Sequence, residues 1–254
     1  MKKQSIASLK QLFQNNVLDE KYVNELRIDE RKGVQQLIAQ YDKQVAKEAE
    51  QVQLYQQKKT FERQFCSGEN ALIAGVDEAG RGPLAGPVVA AAVILPMSCN
   101  LFALTDSKQL TEKMRNDFFE EIKKIAISYH ISVIDNEQID KINILEATKL
   151  AMIEALNGLQ PQPQIGLIDA VPLKGLSFPT KEIIKGDDKS IAIAAASVLA
   201  KVTRDRLMED IALTYPQYGF EYHKGYGTKQ HLDALNQYGP SPVHRLSFTP
   251  VKPN

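Results

Sequence analysis

Proline and glycine are distributed unevenly along this chain, and this limits what its first 70 residues can form. All 12 prolines lie at Pro83 or later, and of the 14 glycines only Gly33 and Gly68 fall in the first 70 residues. A segment with so few helix-breaking residues is typical of long helices. The sequence therefore predicts two domains, an all-helical N-terminal extension over residues 1–67 and a second domain over 68–254.

Three helices are predicted in the extension. Ser5 and Asp19 are suitable N-caps for two short ones, and a long helix is predicted from about Asp29 to Phe65. Its apolar positions recur every three or four residues, which predicts a seam that packs against another helix; they are Val34, Ile38, Tyr41, Val45, Ala49, Val52 and Tyr55. Because no acid here has a strand-end context, we expect the extension to be dispensable for chemistry.

The second domain alternates between strand and helix patterns. Short apolar runs predict strands over 72–76, 88–95, 125–134 and 164–168. Helical periodicity appears over 110–124, 137–157, 189–213 and 228–237. The expected fold class is therefore α/β or α+β, with a sheet of about five strands and helices on its faces.

Composition excludes several classes of protein. The longest apolar run, Val88–Leu95, is far shorter than the roughly 20 residues that cross a bilayer, and polar sequence follows Met1-Lys2-Lys3. We expect a cytoplasmic protein without a membrane partner. Cys66 and Cys99 lack the spacing of a metal site or a disulfide framework. A net charge of zero argues against a non-specific nucleic-acid coat, although it allows a local basic surface.

Two adjacent acids, Asp77 and Glu78, follow an apolar strand. They would point to opposite faces if the strand continued, so we expect the glycines that follow to end it there. Arg81 stands between Gly80 and Gly82, where a ligand can approach the backbone closely, an arrangement suited to phosphate or sugar contact. The alternative is a tight turn with a solvated acidic pair.

Further acids stand at other element ends. Asp169 ends the apolar run Gly166–Ile168, and Asp187 and Asp188 precede a helix of small residues, where either could simply be an N-cap. Four acids in such positions, without a histidine-rich pattern, suit Mg²⁺ or Mn²⁺. Two such ions about 4 Å apart are typical of enzymes that cleave phosphodiesters.

At this point the sequence resembles a known family, bacterial ribonuclease HII, the type 2 ribonuclease H. The resemblance begins at about Ile73 and includes the segments 76–87, 106–108, 185–187, 193–205 and 223–228. It implies a ribonuclease H-like fold and a metal-dependent endonuclease that cuts RNA in RNA/DNA hybrids. It also implies cleavage on the 5′ side of single ribonucleotides in duplex DNA, leaving a 3′-hydroxyl, with a role in ribonucleotide and RNA primer removal.

The resemblance also implies roles for individual residues. The implied catalytic and metal-binding carboxylates, for two Mg²⁺ or Mn²⁺ ions, are Asp77, Glu78, Asp169 and Asp187. The implied substrate contacts are Gly80, Arg81 and Gly82 at the ribonucleotide 2′-hydroxyl, Tyr226 at the following sugar, and Lys108 and Ser197 at phosphates. Three of these residues also have a non-functional interpretation: Lys108 as a solvated lysine, Ser197 as a helix-packing residue and Tyr226 as a core aromatic.

Other families and functions would predict a different set of residues. In ribonuclease HIII, a sister family that also has an N-terminal extension, threonine typically stands where Arg81 stands. A non-catalytic hybrid-binding protein would be expected to lack one of the four acids, and a small-phosphoester hydrolase would leave the Gly-Arg-Gly loop unused. No histidine has metal-site spacing, and His223 is interpreted as structural or phosphate-facing. We expect a monomer whose partner is the nucleic-acid duplex.

Overall fold

The computed structural model describes residues 4–15, 19–66, 68 and 70–251. Within it the chain forms two compact units, Met1–Leu54 and Tyr55–Asn254. This division falls before the predicted domain boundary, because residues 55–63 of the long helix belong to the second unit. Ser67 and Glu69 at that boundary, and Met1-Lys2-Lys3, lie outside the described residues.

The first unit contains two short helices and the first part of a long one. These are α1 (Ile6–Gln14), α2 (Glu20–Arg27) and α3 (Lys32–Arg63), of which α3 continues into the second unit. Ser5 and Asp19 cap α1 and α2 by accepting hydrogen bonds from the Ser8 and Tyr22 amides, as predicted. The core of this unit consists of Leu9, Val23, Leu26, Val34 and Ile38.

The predicted apolar seam of α3 is wrong in its middle. Val34 and Ile38 are buried, but Val45 and Val52 are 43% and 41% exposed. The reason is length: α1 and α2 have 9 and 8 residues, whereas α3 has 32. At 1.5 Å per residue the short helices can cover only a fraction of the long one.

A mixed five-stranded sheet forms the centre of the second unit. Its strands are β1 (Ile73–Ala79), β2 (Val88–Ile94), β3 (Ser128–Ile134), β4 (Ile165–Asp169) and β5 (Thr180–Ile183). They are arranged in the order β3-β2-β1-β4-β5, with β1–β2 and β2–β3 antiparallel and β1–β4 and β4–β5 parallel. The expected sheet of about five strands is confirmed.

Helices cover both faces of this sheet. The helices after α3 are α4 (Glu112–Ile125), α5 (Asn136–Ile142), α6 (Ile144–Asn157), α7 (Gly186–Lys189), α8 (Ile191–Thr214), α9 (Phe220–His223) and α10 (Lys229–Tyr238). Of these, α4 and α8 lie on one face and α6 on the other, whereas α9 and α10 pack with the end of α8 in a separate cluster. Alternate residues of β2 belong to two separate apolar clusters, one with α8 and α4 and the other with α6. This two-sided burial explains why β2 is uniformly apolar. A Cβ on Gly75 would lie 2.1 Å from the Ala192 carbonyl carbon, so only glycine allows α8 to approach β1 this closely.

Two predicted elements differ from the structure. The helix predicted over 137–157 is two helices, because Asn143 has φ 66° and caps α6 by accepting from two following amides. Strand β5 was not predicted, because its sequence Thr-Lys-Glu-Ile lacks an apolar run. Among the described residues, no helix combines the length and the apolar character needed to cross a membrane.

Candidate active site

Asp77 and Glu78 lie near the end of β1, but the strand does not end there as expected. It continues to Ala79 because β2 stays paired with it. The pairing with β4 does stop earlier, at Val76 opposite Ile168. Asp77 on β1 and Asp169 on β4 are therefore the residues directly after the last β1–β4 pair. They lie at the same level of two adjacent parallel strands, where these strands are no longer paired with each other.

Asp169 and Asp187 are linked through the backbone between them. The Asp169 Oδ1 accepts a 2.7 Å hydrogen bond from the amide of Gly186, the residue before Asp187. A Cβ on Gly186 would lie 2.5 Å from the Ile193 side chain and 3.3 Å from this carboxylate oxygen, so glycine lets the turn sit close to the strand end. Asp187 is half-buried, whereas Asp188 is exposed. The structure thus brings Asp187 to the edge where Asp169 lies.

Burial, reinforced by neighbouring negative charge, determines the electrostatics of this edge. Burial, followed by the Glu78 and Asp169 carboxylates, raises the pKa of Asp77 well above its usual value. Burial also raises the pKa of Glu78, against the lowering effect of Arg81. Burial, Asp106 and Asp169 raise the pKa of Asp187. These shifts mean that the carboxylates lie near one another in a poorly solvated place.

A divalent cation fits this donor set. Within the described ranges, no three His, Cys, Asp or Glu side chains form a group that could already hold a metal ion. However, the Glu78 Oε2 is buried without a hydrogen-bond partner there, and Asp77 is 6% exposed. A buried, unpaired carboxylate oxygen is costly, and hard cations such as Mg²⁺ and Mn²⁺ prefer oxygen ligands. A bound cation would supply the missing partner.

The predicted substrate contacts line one cleft beside these acids. It has a volume of about 270 Å³, and its walls include Glu78, Gly80, Arg81, Gly82, Lys108, Ser197 and Tyr226. Arg81 contacts Glu78 (Nη1 to Oε1, 3.3 Å). Tyr226 is 45% exposed, so it is not a core aromatic, and its ring faces Gly82. Ser197 is buried and shares a 2.9 Å hydrogen bond with the Ser107 hydroxyl, so it also serves packing.

Lys108 is exposed and lines the same cleft as Glu78. Partial burial alone would lower its pKa, but the Asp106, Asp77 and Asp187 carboxylates raise it. Its side chain is therefore an electrostatic neighbour of the candidate ligands; because Lys108 is also exposed, the alternative of a solvated lysine stays open. Asp106 itself forms the turn that precedes Lys108, since its Oδ1 accepts from the Lys108 amide at 3.0 Å.

Two buried arginines that the sequence analysis did not identify hold the Gly-Arg-Gly loop in place. Arg204 and Arg245 are 1% and 0% exposed. They donate to backbone carbonyls, which for Arg245 include those of Gly80 and Arg81 and for Arg204 that of Pro87. Burial lowers the pKa of Arg204 to about 10 and that of Arg245 to about 9. Arg245 therefore holds the loop itself, and Arg204 holds the backbone at Pro87 and at Lys224, two residues before Tyr226.

Buried histidines support the segment that carries Tyr226. The Ser241 amide donates to the His244 Nδ1 at 2.9 Å, so the proton of neutral His244 is on Nε2. This Nε2 lies 3.0 Å from the Nε2 of His231, and the His231 Nδ1 lies 2.9 Å from the Tyr226 carbonyl oxygen. A backbone amide can only donate, so one tautomer satisfies the whole chain: His244 donates to His231, which donates to Tyr226.

We expect the free energy of unfolding to fall with acidification, in part because of His244. Burial, followed by His231, lowers its pKa to about 4, whereas an unfolded histidine titrates near 6.5. Between these values the unfolded chain binds the extra proton, so stability is lost as the pH falls from about 6.5 to about 4. A loss of roughly 2 kcal/mol is expected from this group.

Urea unfolding at pH 7 and pH 4.5 measures this effect. His244→Gln should show a smaller loss between the two pH values than the unmodified chain. The control is His130→Gln, since His130 is exposed on β3 and its replacement should leave the loss unchanged. Equal pH dependence in both variants would rule out His244 as the titrating group.

Comparison with known proteins identifies the family. A family model described as ribonuclease HII matches residues 74–251, and one described as ribonuclease HII N-terminal domain matches residues 5–66. The chain belongs to the ribonuclease HII family. The ribonuclease HII of Oceanobacillus iheyensis is 54% identical over 99% of this chain and 96% of its own length. That of Bacillus licheniformis is 47% identical over 99% of each.

Solved structures of the ribonuclease HII family have the same fold. The ribonuclease H2 of Pyrococcus horikoshii OT3 is 28% identical, with a TM-score of 0.61, and the match covers 70% of this chain and 94% of that one. The ribonuclease HII of Archaeoglobus fulgidus, solved as a complex with PCNA, is 26% identical with a TM-score of 0.59 over 70% and 95%. The expected ribonuclease H-like fold is confirmed.

Family membership establishes the class of reaction. The protein is a ribonuclease H, an endonuclease of the hydrolase class, and its family acts on RNA/DNA hybrids and depends on divalent metal ions. A non-catalytic hybrid-binding protein and a small-phosphoester hydrolase are thereby set aside.

Proposed function

We propose that this ribonuclease H cuts RNA/DNA hybrids and also cuts on the 5′ side of a single ribonucleotide in duplex DNA, leaving a 3′-hydroxyl. The observation that carries the proposal is the position of the cleft. Arg81 and Tyr226 line the same small space as Glu78, so one bound nucleotide can contact the recognition loop while its phosphate lies beside the acids. The 2′-hydroxyl is the group that distinguishes RNA from DNA.

In this proposal Asp77, Glu78, Asp169 and Asp187 hold two Mg²⁺ or Mn²⁺ ions. Such ions, when bound, lower the pKa of water and stabilise the charge on the leaving oxygen. The chain itself supplies fixed positions: Asp77 and Asp169 at equal levels of two strands, and Asp187 on a turn tied to Asp169. Because cation-bound water needs no protein base, no histidine is assigned that role.

The Gly-Arg-Gly loop and Tyr226 are proposed to select the nucleotide. A Cβ on Gly80 would lie 2.0 Å from the Arg204 Nε, and the φ of Gly80 is +96°, so this position requires glycine. A Cβ on Gly82 would be 3.6 Å from the Tyr226 ring. The loop backbone and the aromatic ring therefore face each other across a gap in which a sugar could be recognised at its 2′ position.

Cleavage of a labelled DNA duplex that contains one ribonucleotide tests the proposed function. We expect a single cut on the 5′ side of the ribonucleotide with Mg²⁺ or Mn²⁺ and none with EDTA. An all-DNA duplex should remain intact. Cleavage of long hybrids without cleavage at the single ribonucleotide would restrict the activity to the family's hybrid substrates and contradict the proposed specificity.

Arg81→Ala and Tyr226→Ala are expected to impair this specificity. Each should reduce kcat/KM at the single ribonucleotide by about 10- to 100-fold, the effect of losing one charge-assisted contact or one packed ring. The loss on a long hybrid should be smaller, because many registers are available there. Tyr222→Ala is a matched control, since Tyr222 is 75% exposed and outside the cleft. Equal losses on both substrates would reduce these residues to general contacts.

A further inference from the structure

The last turns of α3 place a buried lysine beside the turn that carries Asp187. Lys58 is 7% exposed, and its Nζ donates to the Asp187 carbonyl oxygen at 2.7 Å and to that of Leu104 at 3.4 Å. Burying an ammonium group is costly unless it has a specific partner. Here the principal partner is the backbone of a candidate metal ligand that lies 129 positions away in the chain.

One helical turn after Lys58, the buried acid Glu62 contacts the start of α8. Glu62 is 3% exposed, and its Oε1 accepts from the Ser190 hydroxyl at 2.7 Å and from the Ala192 amide at 2.8 Å. Ser190 is the N-cap of α8. Residues four apart lie on one face of a helix, so Lys58 contacts Asp187 within α7 while Glu62 contacts the residues directly after α7.

Helix α7, the turn that carries Asp187, has few stabilising contacts of its own. Helix α7 has four residues, its preceding residue Lys185 is left-handed with φ 54°, and no side chain caps it. A single turn of helix is not stable by itself. Its position is set by contacts from elsewhere: Asp169 at the Gly186 amide and Lys58 at the Asp187 carbonyl.

The charge of Lys58 also suits this place. Burial lowers its pKa, against the raising effect of the Asp188, Asp187, Glu62 and Asp106 carboxylates. The ammonium group therefore lies among acids and contacts the backbone of the turn, whereas Lys108 lines the cleft.

We propose that Lys58 is a positioning residue that fixes the Asp187 carboxylate for cation binding. This inference depends on the proposed function, in which Asp187 is a metal ligand. It also departs from the expectation that everything before residue 68 is dispensable for chemistry, because the C-terminal turns of α3 supply a direct contact to the candidate ligand set.

Lys58→Met tests the proposal, because it keeps the length of the stem and removes the charged donor. We expect Mn²⁺ binding, followed by the paramagnetic resonance signal of free Mn²⁺ in the absence of substrate, to weaken about 10- to 100-fold, as for loss of other outer-shell partners. With kcat measured at saturating Mg²⁺, a several-fold loss should remain, while KM for the duplex changes less than two-fold.

Lys59→Met is the matched control. Lys59 is also buried, at 5% exposure, but its Nζ donates towards the Pro96 carbonyl and the Cys99 sulfur, at 3.3 and 3.5 Å. Its replacement should leave Mn²⁺ affinity within two-fold of the unmodified protein. Equal Mn²⁺ affinities for Lys58→Met and Lys59→Met would overturn the proposal.

Two further variants keep the outcome decisive. If Lys58→Met does not fold, Lys58→Gln, which retains an N–H donor on a shorter stem, should still show weakened Mn²⁺ binding; unchanged affinity would overturn the positioning role. Asp187→Asn separates this inference from the proposed function. Intact Mn²⁺ binding and cleavage in Asp187→Asn would refute the ligand assignment itself, whereas loss of both alongside a normal Lys58→Met would refute only the role of Lys58.

Discussion

Asp77→Asn is expected to abolish cleavage while leaving duplex binding within a few-fold of the unmodified protein. Asp77 is buried at the end of β1, level with Asp169 on the neighbouring strand. An amide oxygen is a far weaker cation ligand than a carboxylate. We therefore expect kcat to fall by more than the roughly 100-fold that is lost when a residue that only positions a metal ligand is replaced. Binding should persist because Asp77 is only 6% exposed and offers a duplex little surface.

The same substitution gives a second, independent measurement. Asp77 is crowded by Glu78 and Asp169, whose carboxylates raise its pKa together with burial. Removing one of three neighbouring charges should therefore raise the thermal midpoint in EDTA, whereas the increase in midpoint on adding Mn²⁺ should shrink. A loss of activity caused by misfolding would instead lower the midpoint in EDTA.

Asp188→Asn is the control for these acids. Asp188 is exposed, and its Oδ1 accepts only a long 3.4 Å hydrogen bond from the Gln109 side chain among the contacts that the structure describes. Its replacement should leave kcat within a few-fold. If Asp188→Asn were inactive and Asp187→Asn active, the two assignments would have to be exchanged.

Most of the fold was predictable because burial leaves a periodic trace in the sequence. The strands β1 and β2 follow apolar runs, and Ser5 and Asp19 mark helix starts as capping chemistry requires. β5 was not predictable, since a four-residue edge strand with exposed polar side chains has no apolar period. The break at Asn143 was missed because a left-handed residue inside a helical pattern leaves no hydrophobic signal.

The candidate site, like the fold, was predictable only in part. Acids at strand ends can be found by inspection, because a carboxylate after an apolar run needs a partner. The residues that support them cannot, since Lys58, Arg204 and Arg245 act through hydrogen bonds to carbonyls that are distant in sequence. In the printed sequence each looks like an ordinary surface cation. Only the three-dimensional structure shows that they are buried.

The structure therefore leads to a second large effect, on stability. Arg245 donates to four backbone carbonyls at 2.6 to 3.1 Å, those of Gly80, Arg81, Gly86 and Pro87. Arg245→Met should lower the free energy of unfolding by at least about 3 kcal/mol, because each buried acceptor left without a donor costs roughly 1–3 kcal/mol. Urea unfolding midpoints, with the slope checked for two-state behaviour, measure the loss.

Arg245→Lys separates charge from geometry in this prediction. An ammonium group keeps the positive charge but has three donors on one atom, so it cannot reproduce the planar fork that reaches four carbonyls. We expect it to recover only part of the lost stability. Arg206→Met is the surface control: Arg206 lies 3.6 Å from Glu120 with its side chain 48% exposed, and its loss should cost less than about 1 kcal/mol. If Arg245→Lys matched the unmodified protein, positive charge beneath the Gly-Arg-Gly loop would account for the role of Arg245, and the fork geometry would not.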